Sequence, residues 1–220
     1  MGHTRLGNLP RTRKWRQVIA LIEGGAGTAQ IANATITAAE NCFKLVAKDK
    51  GLVETIWILT QLPLAARSDD FGQALQRIGL DVSDSPGLME VIGAFSDAID
   101  KKLKNNGGRT DLGEMAQMAA SETMTQIIGR KTQSLFGTTP DDVKNAFSKL
   151  ATNKEFSACA RDFFSRLTNK CLDYFVSRAV ANNVGEGRRF RTLAQQGEFT
   201  KALGTHSREA SRIVEAFSGG

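Results

Sequence analysis

The sequence predicts an all-α fold, a multi-helix bundle of about nine or ten helices. Apolar residues recur at three- and four-residue spacing along most of the chain, which is the period of one helix face. No segment sustains the two-residue alternation of a β-strand. Glycine, Asn-Gly and proline breaks divide the chain into pieces of helix length. With 220 residues, 41% of them hydrophobic and 24% charged, the chain can form one large domain or two small ones.

Five helices are predicted in the N-terminal half. The second is expected to be central, because two neighbouring rows of apolar residues follow its whole length. Pro63 is expected to end the third helix, because proline disrupts a helix interior. The predicted elements are residues 12–23, 28–48 and 52–61, a short helix after Ser68-Asp69-Asp70 that stops at Gly79, and a helix after Ser85-Pro86 that stops at residues 105–108.

Five more helices are predicted in the C-terminal half. Asp111, with Glu114 three residues later, forms a capping-box pattern, and Thr139-Pro140 is a second strong helix start. Gly197 is expected to interrupt the penultimate helix. The predicted elements are residues 111–136, 140–150, 154–182, 190–203 and 207–217.

Residues 105–108, Asn-Asn-Gly-Gly, form the clearest linker in the chain. They predict an N-terminal helical subdomain over residues 1–104 and a C-terminal one over residues 109–220. Nine of the 12 Phe residues follow this linker, whereas the first half relies on Ala, Thr and Ile and contains both Trp residues. The two halves are therefore expected to pack different cores, as two packed subdomains or as two layers of one core.

The net charge of +6 is unevenly distributed along the chain. Residues 1–50 carry 8 basic and 3 acidic side chains, residues 51–100 carry 2 and 8, and residues 101–220 carry 19 and 12. An acidic middle thus separates two basic parts. The parts either neutralise one another in the fold or leave one basic face for a polyanionic partner, and the sequence leaves both readings open.

The first basic cluster is Arg11, Arg13, Lys14 and Arg16, at the start of the first predicted helix. Cations at a helix N-terminus oppose the helix dipole, and a local rule broken in this way can mark a functional site. Free backbone N–H groups together with arginine side chains suit an anion. Trp15, in line with the apolar residues that follow, is expected in the core. The cluster predicts a nucleic-acid or anion-binding site, against the alternative that its side chains are solvated or paired with the acidic segment.

The second basic cluster is Arg188, Arg189 and Arg191, which surround Phe190 in a glycine-containing loop. Such a loop could hold phosphates with its arginines and stack a base on the phenylalanine ring. It could equally be a helix connection whose Phe190 points into the core. The cluster completes the predicted nucleic-acid or anion-binding residues.

No catalytic, metal or cofactor site is indicated by the sequence. The three cysteines and two histidines are far apart and match no zinc or disulfide pattern: Cys42, Cys159, Cys171, His3 and His206. The Gly-rich residues 24–28 follow a helix and lack the lysine of a phosphate-binding loop. No metal and no cofactor are therefore expected, although an enzyme with an unrecognised set of polar residues stays possible.

These patterns favour a non-catalytic helical subunit or adaptor that acts by protein–protein interaction, with a partner protein or a second copy, in a cytoplasmic assembly. A soluble, cytoplasmic protein is expected because the cysteine usage fits reduced thiols. The alternative function is nucleic-acid binding through the two basic clusters. A third reading, disfavoured because no segment is apolar enough to span a bilayer, is a membrane-active protein that inserts residues 24–39 and 55–66 as a helical hairpin.

Overall fold

The computed structural model describes residues 13–46, 49–105, 108–132 and 138–218, and over these ranges the chain is helical. It contains nine helices, one isolated bridge between Val184 and Phe190, and no strand in the described ranges. The predicted all-α fold of about nine helices is confirmed. The helices are α1 (Arg13–Glu23), α2 (Thr28–Val46), α3 (Lys50–Ala65), α4 (Phe71–Arg77), α5 (Leu88–Asn105), α6 (Asp111–Lys131), α7 (Pro140–Lys149), α8 (Asn153–Ala181) and α9 (Leu193–Ser218).

Two helix boundaries differ from the predictions because packing outweighs a local breaker. Pro63 lies inside α3, where it and Leu62 are buried, so that tertiary contacts maintain a helix that lacks one backbone hydrogen bond. The two predicted C-terminal helices are one helix, α9, and Gly197 lies within it. Glycine in a helix interior costs only about 1 kcal/mol, which neighbouring contacts can offset.

Helix starts follow the expected capping chemistry at α7 but are shifted at α5, which begins at Leu88 and not at Pro86, and at α6. Thr139 and Asp142 form a reciprocal capping box at α7, as the sequence predicts. The cap of α6 is Thr110, whose hydroxyl accepts a hydrogen bond from the Gly113 N–H at 2.9 Å. The capping-box prediction for Asp111 was therefore wrong by one residue, because Asp111 is already the first helical residue.

The contacts divide the chain into two compact units, and unit 1 contains Lys48–Phe164. In this unit α3 packs on α4, α5, α6 and α7, and α6 also packs on α5 and α7. The core side chains come from every one of these helices, and the largest fully buried ones include Ile58, Leu62, Phe95, Leu112 and Phe147. The unit is thus organised around α3 and α6.

A glycine pair allows α3 and α6 to approach closely near their N-termini. A Cβ atom added to Gly51 would lie 2.6 Å from the Gly113 Cα atom, closer than real Cβ contacts. Both glycines are buried. The caps of the two helices, Asp49 and Thr110, lie beside this crossing and bond the backbone N–H groups of Leu52 and Gly113. Glycine is therefore required here for space.

Unit 2 contains Arg5–Ala47 and Ser165–Gly220. Within it α1 packs on α2, and α2 packs on α9. The division into units falls inside α8, between Phe164 and Ser165, and differs from the predicted division at residues 105–108. The helices on either side of that linker, α5 and α6, pack on one another in unit 1.

Candidate functional site

The first basic cluster lies on the exposed side of α1. Arg13, Lys14 and Arg16 are exposed, whereas Trp15 is 2% exposed and belongs to the core with the other apolar residues of the helix. The first turn contains no acidic residue that would balance these cations. None of the ion pairs found between described residues involves the three side chains. The fourth predicted member, Arg11, lies outside the described residues.

The second basic cluster lies in a turn between α8 and α9, and backbone hydrogen bonds join the two ends of this turn. The Phe190 N–H donates to the Asn183 carbonyl at 2.9 Å, and the Gly185 N–H donates to the Phe190 carbonyl at 2.8 Å. Gly185 and Gly187 have positive φ angles of 130° and 72°, which L side chains rarely adopt. The three arginines of the turn differ in exposure: Arg188 and Arg191 are exposed, whereas Arg189 is half-buried.

Arg189 connects this turn to the C-terminal end of α1. Its guanidinium donates to the carbonyls of Ile22 at 2.5 Å and Leu21 at 3.3 Å, and to the Ala26 carbonyl beyond the helix at 2.5 Å. These carbonyls form the negative end of the α1 dipole, where a cation is favourable. Burial lowers the pKa of the Arg189 guanidinium, which nevertheless stays charged at any physiological pH. Arg189 is therefore engaged within the fold.

Phe190 is part of the core of unit 2. Its ring is 6% exposed and packs on the Phe199 ring, with 5.1 Å between the centroids. The Arg189 guanidinium carbon lies 4.8 Å from the Phe199 centroid and 5.4 Å from the Phe190 centroid. Of the two open readings of this loop, the geometry matches the helix connection with an inward phenylalanine. The ring is not available to stack on a base.

The contact made by Arg189 brings the two basic clusters to opposite ends of one helix. The first cluster occupies the first turn of α1, and the second is held at Leu21 and Ile22, in its last turn. With a rise of about 1.5 Å per residue, the nine residues from Arg13 to Ile22 span about 14 Å. Residues separated by more than 170 positions in the sequence therefore lie at the two ends of a single short helix.

The acidic middle of the chain pairs with the residues that follow it in unit 1. Glu54 forms an ion pair with Lys102, and Asp100 forms one with Arg109. Asp81 lies 3.9 Å from Lys101. Within the described ranges, the ion pairs of the acidic segment are thus made with residues 101–109. None of these ion pairs supports the interpretation that the acidic segment neutralises the first basic cluster.

The outer side of α3 carries apolar residues that sequence reasoning missed. Val53, Trp57 and Leu64 are 50%, 41% and 54% exposed. At 100° per residue these three positions fall within an arc of about 40°, and they extend about 17 Å along the helix. The opposite side of α3 is buried in unit 1. We call these three residues the α3 stripe.

A lysine from the neighbouring helix borders the α3 stripe. The Lys102 ammonium lies 4.2 Å from the centroid of the Trp57 ring, and it also pairs with Glu54 one turn away on α3. A cation over an indole face is attracted by the ring electrons, which holds the ring in a defined orientation. Glu54 is thus occupied as an ion-pair partner across α3 and α5.

The described residues contain no group of three or more His, Cys, Asp or Glu that could hold a metal ion. Burial, with the nearby Asp162 carboxylate as a smaller cause, raises the pKa of the Cys159 thiol to about 11, which keeps it protonated. His206 is exposed within α9. Within the described part of the chain, no helix combines the length and apolar character needed to cross a membrane.

Fold and surface together define an all-α protein of two compact units. Unit 1 has an apolar stripe on the exposed side of α3, and unit 2 has basic clusters at both ends of α1. The chain matches no protein-family model, no curated protein and no solved structure. Its function must therefore be inferred from its own residues.

Proposed function

We propose that the protein is a non-catalytic helical subunit or adaptor that binds a partner protein through the α3 stripe. One observation carries the proposal: one side of α3 is packed in unit 1, and the other side carries three large apolar side chains, Val53, Trp57 and Leu64, that are exposed. A solvated helix normally presents polar and charged residues on the side away from the core. The exposed side of α3 is thus unlike a solvated helix face and suits a protein–protein contact.

The composition of the α3 stripe fits the centre of an interface. Tryptophan is enriched among residues that dominate binding energies, and Trp57 lies between two aliphatic side chains on the same face. Lys102 and Glu54 lie beside it as a polar border. A stripe of about 17 Å matches the apolar face of one helix of about 11 residues. The expected partner element is an amphipathic helix of this length, from another protein or from a second copy of this chain.

The proposal locates this assembly in the cytoplasm. Cys159 and Cys171 are buried cysteines outside any disulfide, and reduced thiols suit a reducing compartment.

Affinity enrichment of full-length tagged protein from cells of its source organism tests the stripe. The variant Trp57→Glu/Leu64→Glu introduces charges into the stripe, and Met89→Glu is the matched control because Met89 is an exposed apolar residue of α5, 73% exposed. We expect a partner that the wild type and the control retain and the stripe variant loses at least tenfold. Light scattering on the purified protein separates a second copy from a different partner, because a homodimer doubles the mass of 23.8 kDa.

Two results would contradict the proposal. A stripe variant that unfolds would be recognised by its loss of helical circular dichroism, and the milder Trp57→Ser/Leu64→Ser variant would replace it. If the folded stripe variant retained the same partners and the same mass as the wild type, the α3 stripe would not be an interface. Equal losses in the stripe variant and in the Met89→Glu control would also contradict a specific site.

A further inference from the structure

We infer that unit 2 binds double-stranded nucleic acid through its phosphate backbone, with Arg13, Lys14 and Arg16 at one end of α1 and Arg188 and Arg191 at the other. This inference goes beyond the proposed protein contact and does not depend on it, because the α3 stripe lies in unit 1 and the five basic residues lie in unit 2. Three observations carry it: the distribution of charge between the units, the arrangement on α1, and the burial of the nearby aromatic rings.

The positive charge of the protein is concentrated in unit 2. Its segments Arg5–Ala47 and Ser165–Gly220 contain 15 Lys and Arg against 7 Asp and Glu, a net charge of +8. Lys48–Phe164 contains 14 against 16, a net charge of −2. The mild overall charge of +6 thus conceals one strongly basic unit. A charge of this size on about a hundred residues attracts polyanions and steers their approach.

The arrangement on α1 suits a regular array of phosphates. The three cations of the first cluster are exposed, and no described acidic residue forms an ion pair with them. The ends of α1 are about 14 Å apart, and a duplex carries one negative charge per about 1.7 Å of its axis, so about eight phosphates fall within that length. The distance between the two clusters is therefore within the length of a short duplex segment.

The aromatic residues near the clusters favour a duplex over a single strand or a membrane. Single-strand binding relies on exposed aromatic rings that stack on bases, but Trp15 and Phe190 are 2% and 6% exposed. Membrane-surface helices insert their apolar side, whereas the apolar side of α1 is packed within unit 2. The exposed members of the two clusters are all cations, and such charges bind the outside of a double helix without reading its sequence.

Arg189 is excluded from the binding set by its contacts. Its two terminal nitrogens donate to the carbonyls of Leu21 and Ile22 in α1 and of Ala26 beyond it, and its guanidinium carbon lies over two phenylalanine rings. It holds the turn that carries Arg188 and Arg191 against the end of α1. The predicted cluster of three arginines is thus divided into one structural residue and two that can reach a phosphate.

The test is fluorescence anisotropy of a labelled 24-base-pair DNA duplex with the full-length protein, between 50 and 200 mM salt. Each phosphate contact contributes about −0.9 to the slope of log K against log salt concentration. Changing the three first-cluster cations to Gln should therefore make the slope shallower by about 2.7, and Arg188→Gln/Arg191→Gln by about 1.8. We expect each variant to bind at least tenfold more weakly at 50 mM salt.

A matched control removes the same charge from unit 1. Lys104, Lys149 and Lys154 are exposed, and Lys104→Gln/Lys149→Gln/Lys154→Gln lowers the net charge by the same three units as the first-cluster variant. We expect the control to keep the wild-type slope within 0.5, a margin set below the contribution of one phosphate. Circular dichroism confirms that every variant is folded before binding is measured.

Any of four results would overturn the inference. The first is no change in duplex anisotropy with the wild type at 50 mM salt, and the second is a control that loses as much slope as the first-cluster variant. The third is a first-cluster variant whose slope changes by less than the contribution of about one phosphate contact. The fourth is binding of single-stranded DNA of the same length, or of vesicles with one quarter anionic lipid, as tightly as the duplex, which would assign the charges to a different polyanion.

Discussion

Arg189 offers the most sharply defined perturbation in unit 2. Replacing it by glutamine removes the guanidinium that donates at 2.5 Å to the Ile22 and Ala26 carbonyls and keeps a polar side chain of intermediate length. Arg188, its exposed neighbour, provides the matched control Arg188→Gln, which removes the same charge from the same turn. The comparison isolates the contact at the end of α1 from a general change in charge.

The expected loss follows from the two short hydrogen bonds. Hydrogen bonds from a charged donor contribute about 1.5–3 kcal/mol each. Arg189 is half-buried, so water can reach part of the site, and the lower limit applies to both bonds. We therefore expect the free energy of unfolding to fall by about 3 kcal/mol. For a chain of this size that corresponds to a melting temperature lower by roughly 6–12 °C.

Thermal unfolding followed by circular dichroism at 222 nm, together with urea titration at 25 °C, measures this loss. The control Arg188→Gln should change the melting temperature by less than about 2 °C, because exposed substitutions usually stay within about 0.5 kcal/mol. If Arg189→Gln melted as the control does, the guanidinium contacts with α1 would contribute nothing. The idea that Arg189 holds the second basic cluster at α1 would then be wrong.

Three further predictions concern unit 1. Gly51→Val should destabilise the protein by about 2–3 kcal/mol in urea titration, because the valine side chain would meet the α6 backbone. The control Gly93→Val, at a position with open space around it, should change stability by less than about 0.5 kcal/mol. Equal effects would refute the close crossing of α3 and α6. Burial raises the pKa of the Cys159 thiol from 9.0 to about 11, so the folded protein has roughly a hundredfold less Cys159 thiolate at pH 8 than the unfolded chain. In the Cys42→Ser/Cys171→Ser variant, which keeps Cys159 as its one cysteine, a disulfide reagent should therefore react only after unfolding. Rapid reaction of the native form would be inconsistent with the burial of Cys159. Thr139→Ala should cost about 1 kcal/mol. Hydrogen bonds from Thr139 lower the pKa of the Asp142 carboxyl, so the stability that this carboxylate contributes is present above the ordinary aspartate pKa and is lost as the pH falls below about 4. The difference in the free energy of unfolding between Thr139→Ala and the wild type should therefore shrink in acid. A difference that stayed constant with pH would contradict the capping box.

The helices and much of the core were predictable because they depend on local pattern. Trp15 falls in line with the apolar residues of α1, and it is buried as that spacing predicts. The cap at Thr139 was recognisable from its position before Pro140. Both features follow from residues within one or two turns of each other, which is the range over which sequence spacing determines geometry.

The contact between Arg189 and α1 could not be predicted in the same way. It joins residues more than 160 positions apart, and nothing in the composition of the turn distinguishes Arg189 from Arg188. Which arginine points inward depends on the path of the backbone, here set by two glycines with positive φ. The sequence could identify the cluster but not assign its members to structural and binding roles.

The α3 stripe was not predicted from the sequence either, for a different reason. The polar residues of α3 form no continuous face, because Val53, Trp57 and Leu64 lie among them, and so the sequence does not indicate clearly which side meets solvent. Packing against α4 to α7 covers one side and leaves Val53, Trp57 and Leu64 outside. The sequence signal that could have identified them was the spacing of Val53, Trp57 and Leu64, which places three large apolar residues on the side of α3 that also carries Thr60.

Site-specific photocrosslinking in cells of the source organism tests the proposed function most directly. The full-length protein would carry p-benzoylphenylalanine in place of Trp57 or, as a control, in place of Met89, which is also exposed. If the α3 stripe is an interface, irradiation should give a discrete crosslinked product at position 57 that is absent at position 89. No crosslinked product at position 57, or the same products at both positions, would contradict the claim that the protein acts by binding a partner through α3.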